Sequence, residues 1–295
     1  MPNQPDISKE QLAANRKALL EKLITEQPAR RPEQTTDLSS ASLSKEDLRN
    51  LEKLKQLMGV DFIGAEDWQK IFGKSVSGDF APPAKLISFL NEDCKFVPGK
   101  KIHETHVVCL IPETLDGKPY SINDLSALAN ALPAKEGQTR VVYEGSNNEK
   151  DAWRLNAGAS LYPSQPIKGG RYVLLPKEEI REFLEKNAAN QQVIFDASPD
   201  KYKARGYEIG DAGAVSAALI MRYLKATKGG MEPDKARLLN KWMYLRCKDA
   251  FNYNGRACRA AVGSYYASGL DVYYDYDDDA DGGLALAVLR NFKNT

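Results

Sequence analysis

The chain has 295 residues, a net charge of +1, and 42% hydrophobic against 27% charged residues. That is ordinary globular composition, long enough for two domains or for one domain with an extension. The balance of 41 Lys plus Arg against 40 Asp plus Glu argues against a dedicated nucleic-acid binder, which carries an excess of base. No apolar run reaches the length of a membrane span. The opening MPNQPDISKEQ has no apolar leader, so a cytoplasmic location is expected, with non-classical export left open. Cys94, Cys109, Cys247 and Cys258 are too few and too scattered for a disulfide scaffold and read as reduced thiols.

Residues 1–60 read as helix, linker, helix. Ser8 with Gln11 forms a capping box ahead of Leu12, Leu19, Leu20 and Leu23 at helical spacing. The Pro-, Arg- and Thr-rich stretch from Pro28 to Ser42 has no apolar period and reads as a linker. Ser44 with Asp47 caps a second helix carrying Leu48, Leu51, Leu54 and Leu57. Ala65 to Phe72 is a short helix stopped by Gly73, and a further short segment holds Ser88 to Leu90.

The run His106 to Ile111, closed by Pro112, reads as a buried strand, and Arg140 to Tyr143 and Arg171 to Pro176 as two more. Lys177 to Asn187 is expected to be a polar helix, and Ala212 to Lys225 a strongly apolar one. Leu270 to Tyr273 alternates like a half-buried strand, and Leu284 to Leu289 suits a buried strand.

Motifs of catalysis are missing. There is no GxxxxGKS loop, no GxSxG elbow and no HExxH. The only histidines, His103 and His106, precede Cys109 at three-residue spacing. On a strand His106 and Cys109 point to opposite faces, so no zinc site is expected. Asp277, Asp279, Asp281 and Gly282 match half of a calcium loop, but Val288 stands where the bidentate Glu belongs, so the stretch reads as a solvated acidic loop. No cofactor is expected.

The informative signal is compositional. Lys, Glu, Gln, Met and Trp make up 62 of residues 1–248, a rate that predicts about ten in any 42-residue stretch. Residues 249–290 contain none of the five. Tyr, Asp, Asn, Ser, Gly and Ala fill the stretch, and 7 of the 14 tyrosines lie in the last 55 residues. Tyr with small polar residues is the alphabet of antibody combining sites, because Tyr offers a large amphipathic surface at low entropy cost.

Two resemblances follow. The pieces Gly64-Ala-Glu-Asp-Trp with Phe72-Gly73, Cys94-Lys-Phe-Val-Pro-Gly-Lys-Lys, Glu104-Thr-His, Ile111-Pro-Glu-Thr, Gly117-Lys-Pro and Gly269-Leu-Asp-Val resemble an uncharacterised bacterial family over most of residues 64–295. The C-terminal stretch resembles the variable region of the target proteins of diversity-generating retroelements. In that class, template adenines are mutagenised, and Asn codons ending in C or T become codons that cannot encode the five residues missing here. The resemblance implies a C-terminal, ligand-binding variable region on a C-type-lectin-type fold. The middle of the chain departs from better-known members, sharing only Trp153-Arg-Leu with their tryptophan-containing segments.

The expected protein is therefore α+β. A helical arm (1–60) precedes a mixed α/β body (61–240) and a C-type-lectin-like, Tyr/Asp-rich region (241–295) packed on it. It is expected to be a binding protein rather than an enzyme. The contact residues expected are Asn252, Tyr253, Asn254, Ser264, Tyr265, Tyr266, Asp271, Tyr273, Tyr274, Tyr276, Asp277, Asp278, Asp279 and Asp281. Six aspartates and no Lys or Arg lie between Ala260 and Leu289, which favours a protein ligand with a basic surface over nucleic acid or membrane. The alternative is an interaction or effector protein whose Tyr/Asp docking surface is fixed. An enzyme related to the formylglycine-generating fold, using Cys247 and Cys258, ranks third.

Overall fold

A computed structural model describes residues 43–78, 80–133, 141–142, 164–240, 242–253, 255–266 and 269–293, without the side chains of 264–266. The chain divides after Ser39, and every described residue belongs to the second unit. Helix α1 (Lys45–Met58) starts at the expected capping box, with Ser44 and Asp47 each accepting the other's backbone N–H. It buries Leu54 and Met58 and packs on the strand and helices that follow, so it is part of the body rather than of a separate arm.

Strand β1 (Phe62–Ile63), α2 (Ala65–Phe72), β2 (Val76–Ser77), α3 (Ala84–Leu90) and α4 (Ile102–Thr105) lead into β3 (His106–Ile111), buried along its whole length. Then come β4 (Thr114–Leu115), α5 (Ile122–Asn130), β5 (Arg171–Pro176), α6 (Ala188–Ala197), β6 (Tyr207–Ile209), α7 (Ala212–Lys228) and α8 (Pro233–Ala236). The chain ends in β7 (Tyr244–Tyr253), β8 (Arg256–Tyr266), β9 (Gly269–Tyr276), β10 (Leu284–Leu286) and β11 (Val288–Phe292).

Two sheets carry the architecture. The main sheet has the order β1-β3-β5-β11-β6, and the C-terminal sheet the order β10-β7-β8-β9. The mixed α+β expectation holds. On one face of the main sheet Val108, Leu110, Tyr172, Leu174, Val288 and Phe292 join Leu54, Phe62 and Phe89 in the core. Alternation turns Val107, Cys109 and Ile111 to the other face, where α7 packs. Helix α7 is apolar nearly all round and touches strands of both sheets, which is how such a helix satisfies its surface.

Three sequence expectations change. Lys177 to Asn187 is not a helix: only Arg181–Phe183 forms a 3-10 turn. Glu185 adopts φ 56°, which no helix continues, and its N–H donates to Asp281 O. The helix starts beyond the expected span, at Ala188, with Asn187 as its N-cap, whose side chain accepts from Asn190 N. The apolar run Leu284 to Leu289 is not one strand but two, β10 in one sheet and β11 in the other. The switch comes at Ala287, whose N–H donates to Arg246 O and whose C=O accepts from Gly210 N, both at 2.8 Å. Residues 241–295 are thus woven into the body, with β11 near the centre of the main sheet. Of the strand expected at Arg140 to Tyr143, Val142 bridges to Leu270, while Arg140 and Tyr143 lie outside the described residues.

Candidate ligand-binding face

Strands β7 and β8 form a hairpin whose last pair is Tyr253 with Arg256. The loop is Asn254-Gly255, and Gly255 takes φ +79°, as a two-residue hairpin turn requires. Strand β8 then returns against β9, closing at Tyr266 with Gly269. The inner ends of the three strands are core: Leu245, Cys247, Val262, Leu270 and Val272 are buried, and α7 packs on β7 and β8. Gly263 permits this, because a Cβ there would lie 2.2 Å from Met243 O.

The outer ends differ. Register places Phe251 opposite Cys258 and Cys258 opposite Tyr276, with Ala260 opposite Tyr274. The middle strand contributes small side chains, and the rings of its neighbours converge over them. Tyr274 meets Tyr253 at 4.8 Å, Phe251 at 5.8 Å and Tyr276 at 6.0 Å between centroids. Arg256 lies 3.5 Å over the Tyr276 ring and donates to Asp278 at 2.7 Å. Phe251, Tyr253 and Tyr276 are half-buried, and Asn252 is exposed. Tyr274 is only 6% exposed, so it supports its neighbours from below instead of offering its own face, contrary to its place among the expected contact residues.

Tyr273 belongs to the opposite side of the sheet, 6.3 Å from Tyr244, whose hydroxyl donates to Asp271. It nevertheless stacks on Tyr274 at 4.8 Å and 16°, at the outer strand of the sheet. Asn254 and the side chains of Ser264, Tyr265 and Tyr266 lie outside the described residues.

The acidic turn after β9 is held from within. Arg246 is fully buried. It donates to Tyr276 O (3.1 Å), Asp279 O (3.0 Å), Gln191 Oε1 (3.0 Å) and Lys186 O (3.3 Å). Gln191, also buried, donates in turn to Phe183 O and Leu284 O. One guanidinium therefore ties the turn to α6, to the 183–186 segment and to β10. Above it, burial and a hydrogen bond to Asp279 push the Asp275 carboxyl up to about 7.

The aspartates do not act as one acidic patch. Asp277 accepts from Arg259 at 3.2 Å, Asp278 pairs with Arg256, and Asp281 accepts Gly283 N at 2.7 Å. Two of the six carboxylates expected to face a basic ligand are thus offset by arginines from the neighbouring strand. Among the described residues no three Asp, Glu, His or Cys side chains converge as a metal site would need, including the half calcium loop. His103 bonds Leu90 O through Nδ1, and His106 and Cys109 are buried in β3. The thiols of Cys109 and Cys247 are buried, which raises both well above their ordinary values and makes them poor nucleophiles.

Phe251, Arg246, Arg256 and Arg259 were not among the residues expected from sequence. The Asn254-Gly255 dipeptide between two alternating stretches is the signal that could have found two of them, since it sets Tyr253 against Arg256 and Phe251 against Cys258. No family model, curated protein or solved structure matches the chain.

Proposed function

We propose that this chain is a binding protein whose C-terminal sheet presents a Tyr- and Asp-rich surface to a macromolecular ligand, as the variable proteins of diversity-generating retroelements do. One observation carries the reading. The β7–β9 sheet is ordinary core at its inner end, yet at its outer end it gathers Phe251, Tyr253, Tyr274 and Tyr276 into one partly open aromatic cluster. Aromatic rings over small residues, rimmed by Arg256 and aspartates, make the kind of surface on which a few side chains supply most binding energy. The absence of Lys, Glu, Gln, Met and Trp from 249–290 supports diversification, because the supporting residues Val272, Leu284, Leu286, Val288 and Leu289 are all buried while Asn252, Tyr253, Tyr276 and Asp278 are exposed or half-buried.

The proposed partner is a protein with a basic surface. Arg256 and Arg259 offset Asp278 and Asp277, and the raised Asp275 carboxyl carries less than a full charge, so the steering rests on Asp271, Asp279 and Asp281. A C-type-lectin-like arrangement of this region belongs to the same reading. The alternative, a fixed docking surface, predicts the same contacts without variation. Sister copies of the gene and the flanking DNA separate the two. Differences concentrated at 252–281, beside a template repeat and a reverse transcriptase gene, are expected. Sister copies identical across 252–281 would leave only the fixed surface. For binding itself, the full chain as bait is compared with Tyr253→Ala/Tyr276→Ala. A partner retained equally by both baits overturns the aromatic anchor.

A further inference from the structure

A cleft of about 610 Å³ lies among residues that the C-terminal sheet does not contribute. One wall is the turn from Cys94 to Lys100, closed by Cys94 N–H donating to Lys100 O at 2.8 Å and by Gly99 at φ +79°. The start of β3 forms the floor, and the segment leaving β5, residues 176–182, forms the opposite wall. Two of the sequence pieces singled out above, Cys94 to Lys101 and Glu104-Thr-His, therefore meet at one place.

The walls are apolar, from Phe96, Val97, Pro98, Pro176 and Ile180. Phe96 is fixed by stacking on Tyr202 at 5.6 Å and by an edge contact with Tyr207 at 5.0 Å. Beneath it, His106 is hydrogen-bonded to Tyr207 Oη (3.0 Å) and Thr105 Oγ1 (2.9 Å). Burial lowers its pKa to about 3, so it is a neutral part of the floor.

The rim carries equal numbers of both charges, and most are already matched. Lys100 pairs with Glu104 (3.2 Å), Lys177 with Asp61 (2.5 Å) and Lys201 with Glu182 (2.7 Å), while Glu179 accepts from Asn240 (2.7 Å). Among the described residues this leaves the side chains of Glu178 and Arg181 unpaired, both exposed and of opposite sign.

We propose that this cleft binds a short apolar peptide carrying both a free ammonium and a free carboxylate. Its volume lies within the range of about 300–1,000 Å³ typical of small-molecule sites. A phosphate or a polycation would meet as many charges of its own sign as of the other. A dipolar peptide instead finds one unpaired partner for each end. The planar guanidinium of Arg181 suits a carboxylate in bidentate contact, and Glu178 suits the ammonium. The Phe96, Val97 and Pro176 surface takes the side chains between them.

The test is an amide NMR titration of the full chain. The probes are tripeptides with Ala at both ends and Leu, Phe or Val in the centre, their acetylated and amidated counterparts, and inorganic phosphate. Free-ended tripeptides are expected to give saturable shifts at Phe96, His106 and 177–182. Capping the ends, or the double variant Glu178→Ala/Arg181→Ala, should weaken binding roughly tenfold. Both substituted side chains are exposed, so the variant keeps its fold, and its unshifted core amides check this. The proposal is overturned if no free tripeptide gives saturable shifts at millimolar concentration. Equal binding by capped peptides, displacement by phosphate, or shifts confined to the C-terminal sheet would overturn it as well.

Discussion

The two sheets solve opposite problems with the same covalent material. The main sheet is covered by α7 on one side and by the Leu54 and Phe89 cluster on the other, and its strands β3 and β5 are buried along their whole length. The C-terminal sheet is core only at its inner end. Beyond it, Tyr, Asp and Arg face each other across a strand of Cys and Ala, and stability there rests on one buried guanidinium rather than on close-packed aliphatic side chains. A sheet of the first kind tolerates little change on either face. One of the second kind can vary its outer side chains so long as its inner residues and its polar anchor are kept.

The sharpest way to break this contrast is Arg246→Ala. It leaves the Asp279 carbonyl and the Gln191 amide oxygen without a donor and removes one of the two donors to the Tyr276 carbonyl, and should cost about 3–5 kcal/mol of stability in denaturant unfolding. A loss below 1 kcal/mol would mean that the acidic turn does not depend on this anchor. Leu174→Ala in the main sheet should cost about 2–5 kcal/mol through the cavity it leaves, without altering the tyrosine near-ultraviolet signal of the outer cluster. Loss of that signal would show that the two sheets are not separable.

Proton linkage sharpens the comparison, because the two sheets respond with opposite sign. The Asp275 carboxyl is raised from 3.8 to about 7, so its contribution is fully present below pH 3.8 and is lost as pH rises toward 7. His106 is lowered from 6.5 to about 3, so its contribution is present above pH 6.5 and is lost as pH falls toward 3. Asp275→Asn should flatten the decline in stability between pH 3.8 and 7 and leave the acid-side loss intact. A variant that still declines over that window like the parent protein would assign the slope to another group.

The smallest change in stability is expected at the outer rings. Tyr253→Ala and Tyr276→Ala remove half-buried side chains and should each move stability by no more than about 1 kcal/mol. Thermal unfolding checks this. A larger loss would make the cluster part of the core instead of a display surface.

Much of this molecule was legible one segment at a time. The Ser44 and Asp47 capping box, the run His106 to Ile111, the strand Arg171 to Pro176 and the helix from Ala212 all lie where local periodicity and caps put them, because each is decided by contacts within a few residues. The burial of Val272, Leu284, Leu286, Val288 and Leu289 was equally readable from their apolar side chains. The tertiary structure alone decided that Leu284 to Leu289 splits between two sheets, since the switch depends on Arg246 O and Gly210 N, tens of residues away. It alone brought Arg256 and Arg259 onto Asp278 and Asp277 and buried Tyr274 beneath its neighbours, because strand pairing, not chain order, sets which side chains face each other. Composition is a property of the chain and marked residues 249–290 without any fold, core and surface alike; charge pairing and exposure are properties of register, and exist only once β7, β8 and β9 lie side by side.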